Sequence, residues 1–288
     1  MAQFPSTSAA DGIWTLKKVR RAILGDNWPE AGLAYGDWSL GNATYSETID
    51  VYSGVADGAI NFSRDGTKFF LKPYSTVAQI LSYDLSTAWD LNTATQSGSM
   101  TFNPPNTFAI HISLDGFHLY VAVFNGAIYQ FYLSTAFDLS TSSQIRTVNN
   151  LPDNAVGGLW LSDDGVNMIT VTQGADQFTS YVLTTPFDIS TATSAQSQAL
   201  GNSTPRGIAV HPEGRNVFIQ NTGSGGNVAE GVEEWLLSTP WDASTATYVR
   251  SLDVSAQTGT GMGLDIARDG SKLFYSSYSS GPLYVYTL

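Results

Sequence analysis

LSTAWDLNTAT, Leu85–Thr95, returns as LSTAFDLSTSS at Leu133–Ser143, as LTTPFDISTAT at Leu183–Thr193 and as LSTPWDASTAT at Leu237–Thr247. Before each copy lies a short apolar run that ends in a tight turn: AINFSRDG, AIHISLDG, GLWLSDDG and GIAVHPEG. A fifth run of this type, GLDIARDG, leads to the C-terminal YVYTL. The turn acids Asp65, Asp115, Asp164, Glu213 and Asp269 are spaced 50, 49, 49 and 56 residues apart. A near-constant period of this size marks propeller and solenoid architectures.

Each copy reads as four strands. The first is the apolar run before the turn, and the second follows directly, as in KFFLK at 68–72. An acid–glycine pair between two such runs makes a tight hairpin. The third strand ends at the shared leucine, and the fourth follows the STAT segment. No helical periodicity interrupts the pattern, so the repeat is a blade of antiparallel strands. The last copy stops at Leu288, one strand short. The segment WSLGNATYSETIDV from Trp38 lies without a gap on WDASTATYVRSLDV from Trp241. Residues 43–52 are therefore expected to complete the last blade, removing the exposed edges an open array would present. The fold class is all-β: a five-bladed β-propeller over residues 38–288, closed by an N-terminal strand and preceded by an arm over residues 1–37.

Composition narrows the function. The chain of 288 residues has a formal charge of −12, with 13% charged side chains and 14 Tyr, 14 Phe and 7 Trp. Nucleic-acid grooves need a basic stripe to release counterions, so no nucleic-acid partner is expected. With no cysteine, disulfides and cysteine-ligated metals are excluded. The start MAQFPSTSAADG lacks the pattern of a secretion signal. No apolar stretch approaches a membrane span of about 18 residues, so no membrane insertion is expected.

The repeated polar residues read as architecture. Asp90, Asp138, Asp188 and Asp242 precede Ser/Asn-Thr pairs, where a short carboxylate accepts backbone N–H bonds in an Asx-type turn. The preceding Trp89, Phe137, Phe187 and Trp241 are expected to pack between blades. A column that varies is more informative: Asn61, His111, Trp160, Ala209 and Asp265, each in the first strand. If that strand is innermost, the column borders the central channel. There Asn61, His111, Trp160 and Asp265 are candidate ligand contacts, weighed against a wet wall without function. The fourth copy is longer, and its extra length falls in NTGSGGNVAEGVEEW. This reads as a flexible tip on which Glu230, Glu233 and Glu234 are candidate loop contacts, weighed against a divalent-cation site.

Catalytic signatures are missing from the sequence. A glycosidase needs two carboxylates about 5 to 10 Å apart, and Asp265 is the one acid in the inner column. There is no G-x-S-x-G elbow, and His111, His118 and His211 have no evident nucleophile. No catalytic residue, metal or cofactor is assigned.

The arm is a separate matter. GIWTLKKVRRAILGDNWPE predicts a helix over 15–24, with Leu16, Val19 and Ile23 on one stripe and Gly25 as its stop. Lys17, Lys18, Arg20 and Arg21 carry four of the 13 basic residues, and Trp14 and Trp28 bracket the helix. Trp14, Leu16, Lys17, Val19, Arg20, Arg21, Ile23 and Trp28 are the candidate partner-binding residues. The motif Gly12–Leu16 with Gly25–Pro29 resembles a segment of virion structural and tail-fibre-like proteins of tailed bacteriophages, marine ones particularly. The L-S-T-x-W-D-x-S-T-A-T repeat is similar to repeats in such proteins. The resemblance implies a non-enzymatic virion location and partners among the capsid or tail proteins. A host-surface glycan is a further candidate partner. Two alternatives stand beside it, a lectin-like binder and a glycoside hydrolase-like enzyme.

Overall fold

The computed structural model describes Gly36 and residues 38–52, 58–73, 78–103, 107–123, 126–149, 156–201, 204–223, 226–257, 260–277 and 282–288. The expected arm helix and all eight arm candidates lie outside these residues. The first strand described is β1 (Thr44–Ile49). Blade one then holds β2 (Ala59–Phe62), β3 (Lys68–Lys72), β4 (Gln79–Leu85) and β5 (Ala94–Thr101). Blade two holds β6 (Thr107–Ile112), β7 (His118–Val123), β8 (Ile128–Leu133) and β9 (Ser142–Val148). Blade three holds β10 (Val156–Leu161), β11 (Asn167–Thr172), β12 (Gln177–Leu183) and β13 (Ala192–Ala199). Blade four holds β14 (Pro205–Val210), β15 (Asn216–Thr222), β16 (Glu230–Leu237) and β17 (Ala246–Asp253). Blade five holds β18 (Gly261–Ile266), β19 (Lys272–Ser277) and β20 (Leu283–Thr287), completed by β1 in the order β1-β20-β19-β18.

The protein is thus a five-bladed β-propeller, and its ring closes through the N-terminal strand as the internal alignment predicts. Pairing runs from Thr44 opposite Thr287 to Ile49 opposite Leu283, a little shorter than the 43–52 expected. A bulge between Tyr45 and Glu47 interrupts it. The same break recurs between the third and fourth strands of every other blade, at Ser82/Tyr83, Gln130/Phe131, Ser180/Val182 and Glu234/Trp235. A bulge adds one residue and local twist. Its recurrence shows β1 to be a full fourth strand contributed from the other end of the chain.

The repeated segment supplies the blade-to-blade joint. Asp90, Asp138, Asp188 and Asp242 each cap a 3₁₀ turn, accepting the backbone N–H two residues on at 2.9–3.1 Å. Ser39 does the same at the swapped joint. Trp89, Phe137, Phe187 and Trp241 have φ of 62–64°. That left-handed backbone lays each ring over the glycine of its own blade's turn. A Cβ on Gly116 would meet Phe137 at 2.6 Å, and one on Gly214 would meet Trp241 at 2.2 Å, both at φ above +70°. Gly116→Ala or Gly214→Ala is expected to cost about 2–4 kcal/mol, from left-handed strain and overpacking together. Chemical denaturation with an unchanged m-value checks this.

Five apolar clusters fill the gaps between neighbouring blades. Phe70, Ile80 and Met100 of blade one meet Ile112, Leu119 and Leu139 of blade two. Phe274 and Val285 of blade five meet Phe62, Phe69 and Leu91 of blade one. Trp38, Leu40 and Phe218 help to fill the gap between blades four and five. The core is a ring of interfaces, which leaves the innermost strands around the axis as the place to look for a site.

Candidate functional site

β2, β6, β10, β14 and β18 surround the axis, so the variable column does stand at the channel. Its polar members are buried, however, with Asn61, His111 and Asp265 between 2 and 5% exposed. Each bonds to the innermost strand of the next blade. Asp265 Oδ2 accepts from Phe62 N–H at 2.8 Å and from Asn61 Nδ2 at 3.0 Å, and Oδ1 accepts from Ile266 N–H at 2.8 Å. Asn61 Oδ1 accepts from Ile112 N–H at 2.8 Å. His111 Nε2 accepts from Leu161 N–H at 3.4 Å. Trp160 instead spreads over the clusters on both sides of blade four, where Ala209 leaves room. The column is a belt tying blade five to one, one to two and two to three.

Burial sets the electrostatics of this belt. It pushes the Asp265 carboxyl up to about 7, against the three hydrogen bonds that favour the anion. It takes the His111 imidazole down to about 3, so the ring is neutral at physiological pH. With Nε2 accepting, the proton sits on Nδ1. That atom is buried and has no hydrogen-bond partner among the described residues.

Asn61 and Trp160 line two cavities that open on the axis among the described residues, and so mark the constriction between two mouths. The lower mouth lies at the starts of the innermost strands and includes Phe108, Arg206 and Met262. Arg206 stands 5.7 Å from the Phe108 ring centre. The upper mouth lies at their ends, has a cavity volume of about 50 Å³, and includes Trp38, Trp89 and Trp160. The turns around it bring a second variable column, three residues beyond the first: Arg64, Leu114, Asp163, Pro212 and Arg268. Arg268 grips Asp163 with both terminal nitrogens, Nη1 to Oδ1 at 3.2 Å, and so ties blade five to blade three. Burial and the Arg268 charge lower the Arg64 guanidinium, with Asp163 opposing. Burial raises the Asp163 carboxyl despite Arg268 and Arg64. This charged rim escapes the sequence reading, although its signal, variation at a fixed offset from the turn acid, is the one that exposes the inner column.

The acids of blade four correct a prediction. Glu230, Glu233 and Glu234 belong to β16 and not to a loop tip. Glu233 is 1% exposed, and its carboxylate accepts from Asn227 N–H at 2.8 Å and Trp235 Nε1 at 3.0 Å. Glu234 accepts from Leu40 N–H at 3.0 Å and Asn216 Nδ2 at 3.3 Å, with Arg250 Nε at 3.4 Å. Successive strand residues face opposite ways, so Glu233 and Glu234 cannot hold one ion. Glu233 anchors the base of the hairpin, and Glu234 receives the swapped joint as Ser180 Oγ receives Ala243 N–H one gap earlier. Glu230 is pushed by burial up to about 7. No group of three or more metal-ligating side chains occurs among the described residues. His118 stacks on Phe187 of the next blade at 5.1 Å, a packing role. No helix among the described residues is long and apolar enough to cross a membrane.

No protein-family model and no curated protein sequence matches the chain. Among solved structures, the chain is similar to the β-propeller domain of Cps50 (Swd1) from Myceliophteria thermophila. The TM-score is 0.49 at 10% identity, covering 85% of this chain and 99% of that one. It is also similar to a functionally unknown protein from Desulfotomaculum acetoxidans DSM 771. There the TM-score is 0.47 at 13% identity, covering 80% of this chain and 67% of that one.

Proposed function

We propose that the protein is a non-enzymatic structural component of a tailed-phage virion. Residues 1–37 attach it to capsid or tail, and the propeller projects as a decoration, adaptor or host-contacting module. The observation that carries this reading is the use of the ring's carboxylates. Those of the repeat cap turns, Asp265 and Glu233 are enclosed by donors, and Asp163 is clamped by Arg268. A hydrolase would need two carboxylates free to face a substrate, and these groups are already engaged. The position of Gly36 is compatible with attachment, since its N–H bonds to Arg268 O at 3.4 Å, at the upper face. The resemblance of Gly12–Leu16 and Gly25–Pro29 to a segment of phage virion proteins supports this location.

The test is mass spectrometry of purified particles made with the full chain or with a chain lacking residues 1–35. The reading expects the full chain in particles and the shortened chain, folded, left in the soluble fraction. Equal incorporation of both would overturn the anchoring role.

A further inference from the structure

We infer that the outer groove between blades three and four is a docking socket for an arginine side chain of a partner protein. The inference stands on the ring alone and does not depend on where the ring is displayed. It comes from comparing one joint across different gaps. Strand register makes His118 equivalent to Asn167 and Lys272, Tyr120 to Ile169, Gln130 to Ser180, and Arg146 to Gln196. Between blades two and three the chain fills the joint itself. His118 stacks on the Phe187 ring at 5.1 Å. Gln130 Nε2 and the Tyr120 hydroxyl donate to Phe187 O at 2.7 and 2.8 Å. Arg146 forms an ion pair with Asp188, although that carboxylate also accepts from Ser190 N–H at 3.0 Å and from its hydroxyl at 2.6 Å. Between blades five and one, Lys272 Nζ donates to Trp89 O at 3.0 Å. Basic side chains thus serve the acceptors of this joint in two gaps.

Between blades three and four the same positions hold shorter or apolar side chains. Ile169 has no donor, and Ser180 Oγ is already taken by Ala243 N–H at 3.1 Å. Asn167 and Gln196 replace the imidazole and the guanidinium. The result is an open groove of about 220 Å³ whose lining includes Asn167, Val182, Gln196, Trp241 and Asp242. Trp241 is half-buried there, whereas Phe187 under His118 is 5% exposed. Asp242 carries the capping bonds of Asp188, from Ser244 N–H at 3.0 Å and its hydroxyl at 2.6 Å, and so can take a guanidinium as Asp188 does. A guanidinium stacks on an indole and donates to a carboxylate at once, which a neutral amide cannot do. The net charge of −12 favours a basic partner.

The experiment follows the Trp241 indole and Asn167 amide signals of the full chain by NMR during titration with N-acetyl-arginine methylamide. The neutral isostere N-acetyl-citrulline methylamide and free L-arginine are the controls. The blocked arginine should shift both signals, and the citrulline compound should bind about ten-fold more weakly, the loss of one charge-assisted contact. Asp242→Asn, which keeps an equally good cap, should lower the affinity by a similar factor with unchanged thermal unfolding. Gln196→Arg should close the groove with the chain's own guanidinium, as Arg146 does next door, and remove binding without lowering the unfolding temperature. Absence of shifts at about 10 mM, a very weak affinity, would overturn the proposal. So would equal binding of the citrulline compound, undiminished binding by the Gln196→Arg variant, or tighter binding of free L-arginine, which would mark an amino-acid site.

Discussion

Removal of residues 1–49 is expected to abolish cooperative unfolding, whereas removal of residues 1–35 leaves the transition in place. The longer deletion takes β1 and opens the outer edge of β20 to solvent. It also takes Trp38, Leu40 and Ile49, which are 4, 5 and 8% exposed. Buried side chains of this size are worth about 2–5 kcal/mol each, against about 5–15 kcal/mol for a whole domain. Glu234 would lose the Leu40 N–H it accepts, leaving a buried acid with fewer partners. The shorter deletion spares Gly36 and the Trp38 Nε1–H bond to Arg268 O at 3.2 Å. Circular dichroism melts of the two truncated chains check the contrast. A sharp transition in the chain lacking residues 1–49 would mean that the ring closes without its swapped strand.

The second large effect is a pair of opposed pH dependences inside the belt. The Asp265 carboxyl titrates near 7 in the folded protein against an ordinary 3.8. Between those values the folded state holds the extra proton, so this group's contribution to stability falls as pH rises from about 4 to 7. His111 titrates near 3 against an ordinary 6.5. There the unfolded state holds the extra proton, so its contribution rises over about pH 3 to 6.5. The spans correspond to about 4 to 5 kcal/mol each, and over pH 4 to 6.5 the two nearly cancel. Asp265→Asn removes the fall and exposes the rise, so the variant should gain about 3 kcal/mol relative to wild type across that window. His111→Gln, whose amide oxygen can still accept from Leu161 N–H, should lose a similar amount across it. Urea denaturation at pH 4, 5 and 6.5 reads both directly. Variants that track the wild-type profile would show that neither group titrates as described.

Much of the ring was readable because local chemistry recurs in it. The acid–glycine turns, the shared leucine and the capping aspartates each act within a few residues, so their spacing alone displays the blade. The swapped strand was legible through Ala43–Tyr45, which repeats Ala246–Tyr248. The belt was not legible, since the Asp265-to-Phe62 bond joins positions 203 residues apart and exists only once the ring has closed. The column could be identified by its variation, but the direction of its side chains could not. Glu233 and Glu234 were misplaced because adjacent acids after a glycine-rich stretch have the composition of an exposed tip. Both are buried in a strand: Glu233 is served by its near neighbours Asn227 and Trp235, whereas Glu234 is served by Leu40, 194 residues away, and by Arg250 on the adjoining strand. The charged rim was missed for the opposite reason. Arg64, Asp163 and Arg268 are ordinary turn residues in sequence, and only the fivefold arrangement gathers them at one mouth.

The central claim, that the ring is closed by β1 on β20, is tested most directly by a disulfide between positions 44 and 287. The chain has no cysteine of its own, and Thr44 and Thr287 are paired across the closing strands and exposed. In the double variant Thr44→Cys, Thr287→Cys, air oxidation should give an intramolecular 44–287 crosslink in peptide mapping under non-reducing conditions. Because the bond closes a loop around nearly the whole ring, oxidation should stabilise the protein by about 4–5 kcal/mol over the reduced form. Free thiols after oxidation, or crosslinks only between separate chains, would contradict the closure.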